Sequence, residues 1–148
     1  MRNLLQLGYG LCLGLIASGP VGCGSGSLPP AAERLPGKWQ GQMIVYEDTV
    51  AGKLTPQQIS ELAQKQMNLE FAANGSMVTS AEINGQATAS SGRWELVSQE
   101  GDLLKIKSTE QSGKSKDINI EFEDADTFYI PLQTEVAELG AMKFTRMR

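Results

Sequence analysis

The chain of 148 residues contains no histidine, and its two cysteines, Cys12 and Cys23, both lie near the N-terminus. From residue 24 onward there is therefore neither an imidazole nor a thiol. This part of the chain lacks the residues for a Ser-His-Asp triad, a thiol nucleophile, a zinc site with His or Cys ligands, or a disulfide framework. Imidazole acid–base catalysis is excluded for the same reason.

The chain also has few positive charges. It contains 13 Lys and Arg and 17 Asp and Glu, for a net charge of −4. The longest basic stretch is KSK at Lys114–Lys116, which we interpret as the solvated tip of a hairpin. Proteins that bind duplex nucleic acid neutralise phosphates with clustered Lys and Arg. We therefore predict that the protein has no nucleic-acid partner.

The apolar segment Leu4–Ile16 is shorter than the about 20 residues that a membrane-spanning helix needs. It follows the positive charge of Arg2 and precedes a run of small residues. This arrangement is typical of a secretory signal, and we predict a signal peptide over residues 1–22.

The tripeptide VGC at 21–23 resembles the lipobox of bacterial lipoproteins, in which the cysteine becomes the acylated first residue. The resemblance implies a lipid anchor on Cys23, followed by a flexible leash over residues 23–34. Pro20 departs from the motif, which favours an aliphatic residue there. One alternative is cleavage near Ala17–Gly19, which would leave a soluble secreted protein. Others are a retained N-terminal helix and an unprocessed cytoplasmic protein.

The lipoprotein resemblance also implies a cellular location. It predicts a protein anchored in the bacterial cell envelope and facing the periplasm. Gly24 and Ser25 follow the cysteine where the enterobacterial family places an aspartate for inner-membrane retention. The outer membrane is therefore the favoured location.

The densest acidic run is EFEDAD at Glu121–Asp126. Strand alternation sends Glu121 and Glu123 to one face, and the aspartates fall in a turn without the glycine of a calcium loop. We interpret the run as a solvated strand face and predict no metal site. Because no carboxylate pair or activated serine is evident either, we predict a protein that is not an enzyme and needs no cofactor.

Alternating apolar and polar residues predict about eight short strands from residue 38 onward, separated by turn residues. Asn74-Gly75 and Asn84-Gly85 are strong hairpin signals. The fold class we predict is mainly β, an antiparallel up-and-down barrel, because closure removes exposed strand edges. The predicted strands are KWQGQMIVYE (38–47), MNLEF (67–71), SMVTSAEI (76–83), GRWELVS (92–98), LLKIKSTE (103–110), DINIEFE (117–123), TFYIPLQ (127–133) and AMKFTRM (141–147).

One helix is predicted between the first and second strands. Thr55 suits the N-cap, Pro56 the first helical position and Gln58 the third, which together form a capping box. Ile59 and Leu62 then recur at helical spacing. The helix is either a lid packed on one barrel end or a mobile gate over a ligand mouth.

Two features near the ends of residues 35–148 resemble the lipocalin-like superfamily. Gly37-Lys38-Trp39 forms a G-x-W at the start of the first strand, and Arg146 lies in the last strand. The resemblance implies that Trp39 closes one barrel end and that Arg146 packs across it as a structural plug. Lipocalins have their main helix after the eighth strand, so this chain departs from the family there.

An eight-stranded barrel is either filled by side chains or holds one small ligand. One hypothesis is non-enzymatic binding of a small apolar ligand inside the barrel. The alternative is a solid barrel for protein interaction or envelope maintenance, with its working surface on residues 47–56, the helix and residues 131–141. Six bulky residues are candidates for a cavity lining: Met43, Phe71, Met77, Trp94, Phe122 and Phe128.

Overall fold

The computed structural model describes residues 27–83, 85–133 and 138–148. The predicted signal peptide, Cys23, Asn84 and part of the 131–141 connection lie outside the described residues. No helix in the described part is long and apolar enough to cross a membrane. The elements in chain order are α1 (Ala31–Arg34), β1 (Gly37–Val45), α2 (Glu47–Val50), α3 (Pro56–Ala63), β2 (Gln66–Phe71), β3 (Ser76–Ile83), β4 (Gln86–Glu100), β5 (Leu103–Glu110), β6 (Ser115–Phe122), β7 (Thr127–Gln133) and β8 (Glu138–Arg146).

The eight strands form a closed barrel in sequence order, and every neighbouring pair is antiparallel. Strand β1 completes the closure, because Trp39 lies opposite Leu69 of β2 and opposite Arg146 of β8. The predicted fold class is therefore confirmed. Each strand pairs with a neighbour on both sides, although β6 and β7 share only the pairs Glu121–Tyr129 and Phe122–Phe128.

Strand β4 is longer than the predicted 92–98, since it runs from Gln86 to Glu100 with an irregularity between Leu96 and Ser98. Its first half, QATASS, has no apolar face, so apolar alternation did not detect it. Polar residues are tolerated there because all six are exposed, and only Ser90 and Ser91 of them line the cavity.

The predicted helix is confirmed as α3, with its capping box intact. The Gln58 backbone N–H donates to Thr55 Oγ1 at 3.3 Å, and the Thr55 N–H donates to Gln58 Oε1 at 2.9 Å. Leu62 packs against the core from the barrel end where β1 finishes. The short helix α2 was not predicted, and β1 ends at Val45 rather than at Glu47.

Aromatic rings fill the end of the barrel where β1 begins. The Trp39 ring meets Phe128 at 4.6 Å and Phe122 at 6.0 Å between centroids, both edge to face. Phe144 stacks on Phe128 at 4.9 Å. Edge-to-face and offset rings add to the stabilisation from burial alone. This aromatic layer closes the bottom of the barrel interior.

Candidate functional site

Arg146 seals the end of the barrel at which β1 begins, which we call the closed end. Its guanidinium lies 4.1 Å from the centroid of the Trp39 ring and pairs with Asp126 through Nε at 2.9 Å. Nη1 donates to Pro36 O at 3.1 Å, and Nη2 donates to Arg34 O at 2.6 Å. Three of these contacts tie strand β8 to the segment before β1 and to the β6–β7 turn, and the stack on Trp39 ties it to β1.

Gly37 makes this approach possible. Its φ of 146° lies in a region that residues with a side chain rarely adopt. A Cβ at this position would overlap Arg146 Nη1. The glycine of the G-x-W motif therefore provides room for the guanidinium as well as the backbone turn.

A second arginine, Arg34, covers the same end and was missed at the sequence level. Its guanidinium lies 4.5 Å from the Phe122 centroid, donates to Asp124 O at 3.2 Å and pairs with Asp102. The residue is buried. Residues 31–34, which the sequence predicts as part of the flexible leash, form α1 and pack on the barrel. The one available signal was a helix-forming AAER segment directly before the LPGKW start of β1.

The interior above the aromatic layer contains a cavity of about 430 Å³. This volume falls within the roughly 300–1,000 Å³ of small-molecule sites. Its mouth lies toward the opposite end of the barrel, where the lining residues come from β4, β5, β6 and β7. The deep wall is apolar and includes Leu69, Phe71, Met77, Ile118, Met142 and Phe144.

Polar side chains line the cavity on the side of β3–β6. Residues paired across an antiparallel ladder lie on the same face, so Thr79 and its partner Ser90 face inward together. Ser108 and its partner Lys116 do the same on β5 and β6. Lys116, predicted at a solvated hairpin tip, therefore lies within a strand and borders the mouth, together with Glu110.

Phe144 forms the bottom of the cavity because Gly41 leaves space for its ring. A Cβ on Gly41 would lie 2.8 Å from Phe144 Cδ1 and closer still to Cε1. The ring is fully buried and held from below by Phe128. Glycine inside a strand thus marks a close approach of a ring to the backbone.

Two of the six predicted lining residues, Phe71 and Met77, line the cavity. Phe122 and Phe128 belong to the closed end instead, where they pack on Trp39. The other two are also elsewhere: Met43 is buried in the core, and Trp94 packs edge-on against Phe71 and donates to Ala72 O at 3.0 Å.

These corrections share one cause. Alternation identifies which side chains face inward, but it does not give their height along the barrel axis. The missed residues Ile118, Ile130 and Leu132 carry the same inward alternation as Phe122 and Phe128 on the same strands. They lie nearer the mouth, and only the shear of the closed sheet reveals this.

The acidic run at Glu121–Asp126 is engaged in surface and closed-end contacts. Tyr129 OH donates to Glu123 Oε2 at 2.8 Å, and Lys143 Nζ lies 3.6 Å from the same oxygen. Tyr129 first, and Glu123 second, raise the pKa of Lys143. Asp126 pairs with Arg146. In the described ranges, no three Asp, Glu, Cys or His side chains are grouped as metal ligands.

Comparison with known proteins adds the fold alone. No family model matches the sequence, and no curated protein matches it. A solved structure of a redesigned beta barrel is similar, with a TM-score of 0.50 and 16% identity over 83% of this chain and 100% of that chain. At that identity the likeness supports the barrel and carries no information on function.

Proposed function

We propose that this protein is a lipid-anchored protein of the bacterial cell envelope that binds a small apolar molecule inside its barrel, without catalysis. The cavity of about 430 Å³ is the observation that carries the proposal. A solid barrel would have filled this space with side chains. A cavity with an apolar wall and a few polar groups near its mouth is the usual form of a small-molecule site.

The residue types also favour binding over catalysis. The cavity wall has no imidazole or thiol, because the domain contains none. Its polar side chains are hydroxyls, one lysine, one amide and two carboxylates. We propose no catalytic residue and no cofactor. The stack of Arg146 on Trp39 supports a relationship to lipocalin-like barrels, in which such a pair is structural.

The proposed anchor is Cys23. We expect labelled palmitate to enter the protein in a bacterial host that processes lipoproteins, and expect no label in Cys23→Ser. The measurement is fluorography of the immunoprecipitated protein. Equal labelling of both proteins would assign the acyl group elsewhere, and a soluble wild-type protein without label would favour simple secretion.

The anchor and the mouth would lie at opposite ends of the barrel. The chain enters the closed end through α1, where Trp39 Nε1 donates to Leu35 O at 2.9 Å and Arg146 holds the Pro36 carbonyl. An acyl group on Cys23 would therefore attach on the closed-end side. The mouth would face away from the membrane that holds the anchor.

Filling the cavity tests the binding proposal directly. Thr79 faces the cavity, so Thr79→Trp places an indole in the ligand space. We expect it to weaken binding of N-phenyl-naphthylamine, a neutral apolar fluorophore, at least tenfold (about 1.4 kcal/mol). The measurement is a fluorescence titration on the domain without its acyl group.

Val78→Trp is the matched control. Val78 is the next residue on the same strand and is exposed on the outer face. It should bind the fluorophore like wild type, with the same circular dichroism spectrum. Wild type that does not bind the fluorophore, or equal loss in both variants, would contradict the proposal.

A further inference from the structure

The cavity wall includes a hydroxyl that makes no side-chain hydrogen bond within the described residues. Ser108 is only 1% exposed, lines the cavity and makes no side-chain hydrogen bond among the described residues. Because the side chain lines the cavity, its hydroxyl can pair with a polar group of a bound molecule. The position therefore suits a ligand that has a polar group next to Ser108.

The side chain of Lys116 lies next to Ser108. Lys116 is the ladder partner of Ser108, so both side chains project from the same face of the sheet. No carboxylate in the described chain lies within ion-pair distance of Lys116, although the flanking Asp117 pairs with Lys105 at 3.0 Å. The Lys116 side chain is exposed at the mouth and is thus available to pair with a bound group.

The neighbouring negative charge at the mouth is Glu110. It accepts a hydrogen bond from Ser112 Oγ at 3.3 Å, in the turn beyond the strand. Glu110 lies two residues from Ser108 on β5 and lines the same cavity, so a group bound at Ser108 and Lys116 also has this carboxylate nearby. The negative charge of Glu110 disfavours binding of an anion. Replacing Glu110 with a neutral residue therefore tests whether the bound head group is negatively charged.

We propose that the ligand is an amphiphile with a carboxylate head and an alkyl chain, of the fatty-acid class. The carboxylate accepts hydrogen bonds from the Lys116 ammonium and the Ser108 hydroxyl, since charged acceptors give the stronger bonds. The chain runs along the apolar wall toward Phe144. This inference rests on the proposed binding function and specifies its head-group chemistry.

Three probes with the same twelve-carbon chain separate the possibilities. Dodecanoate, dodecanol and dodecylamine are each used below their micelle concentrations to displace N-phenyl-naphthylamine at neutral pH. We expect dodecanoate to bind at least tenfold more tightly than dodecanol, and dodecylamine to bind most weakly. Equal affinity for the three probes, or a preference for the amine, would overturn the inference.

Variants then assign the selectivity to the named side chains. Lys116→Gln should weaken dodecanoate binding at least fivefold more than it weakens fluorophore binding, and Ser108→Ala at least twofold more. Glu110→Gln should tighten dodecanoate binding about twofold, a fraction of the effect of close charge pairs. Lys107→Gln is the control, because Lys107 is exposed and alternates outward between Ile106 and Ser108.

The two proposals fail in different ways. Absence of fluorophore binding by wild type contradicts the binding function itself. Fluorophore binding without head-group selectivity, or equal effects of Lys116→Gln and Lys107→Gln, contradicts only the carboxylate inference.

Discussion

Arg146→Met is expected to lower the free energy of unfolding by about 3 kcal/mol, because charged hydrogen bonds contribute roughly 1.5–3 kcal/mol each and are partly screened here. The substitution removes the stack on Trp39 and leaves the Pro36 and Arg34 carbonyls without their donor. It also frees β8 from the segment before β1. The melting temperature should fall by about 10–15 °C in a thermal unfolding experiment.

Arg148→Met is the matched control. This arginine is 91% exposed at its side chain and lies 3.8 Å from the same Asp126. Its loss should change stability by less than about 0.5 kcal/mol, as for exposed ion pairs. Arg146→Lys should give an intermediate loss, because an ammonium keeps the charge but lacks the planar fork. Equal effects of the Arg146→Met and Arg148→Met substitutions would show that the closed end does not depend on this geometry.

Gly41→Ala is expected to cost about 2 kcal/mol, within the range for overpacking a core. The new methyl group would overlap the Phe144 ring, which cannot retreat because Phe128 stacks on its other side. The loss should appear in chemical denaturation as a lower midpoint with an unchanged slope.

A second substitution tests this explanation. Phe144→Leu alone should destabilise by about 1 kcal/mol or more, since it removes buried ring atoms. Combined with Gly41→Ala, the shorter side chain relieves the overlap. The double variant should therefore be more stable than the sum of the single effects predicts, by at least about 1 kcal/mol. Strict additivity would show that the ring and the glycine do not interact.

The sequence alone determined the elements whose causes are local. Period-two alternation predicted the strands, Asn74-Gly75 predicted a turn in which Gly75 has a φ of 84°, and Thr55 with Gln58 predicted the start of α3. Each rests on interactions within a few residues of the chain. Closure into a barrel also followed, because a meander of strands with inward apolar faces has few other ways to bury them.

Only the tertiary structure decided which inward residues meet a ligand space. Phe122 and Ile118 alternate identically on β6, yet one packs under Arg34 and the other lines the cavity. The difference is height along the axis, and this height is set by strand tilt and by the register of distant pairs such as Trp39 with Arg146.

The polar side of the cavity was beyond sequence analysis for the same reason. Ser108 and Lys116 are ordinary strand residues until the β5–β6 register places them side by side on the inner face. Arg34 becomes part of the closed end only because α1 folds back onto Asp102 and Phe122. Local alternation determined the inner and outer faces of the strands, while long-range register determined which inner residues seal the barrel and which leave it open.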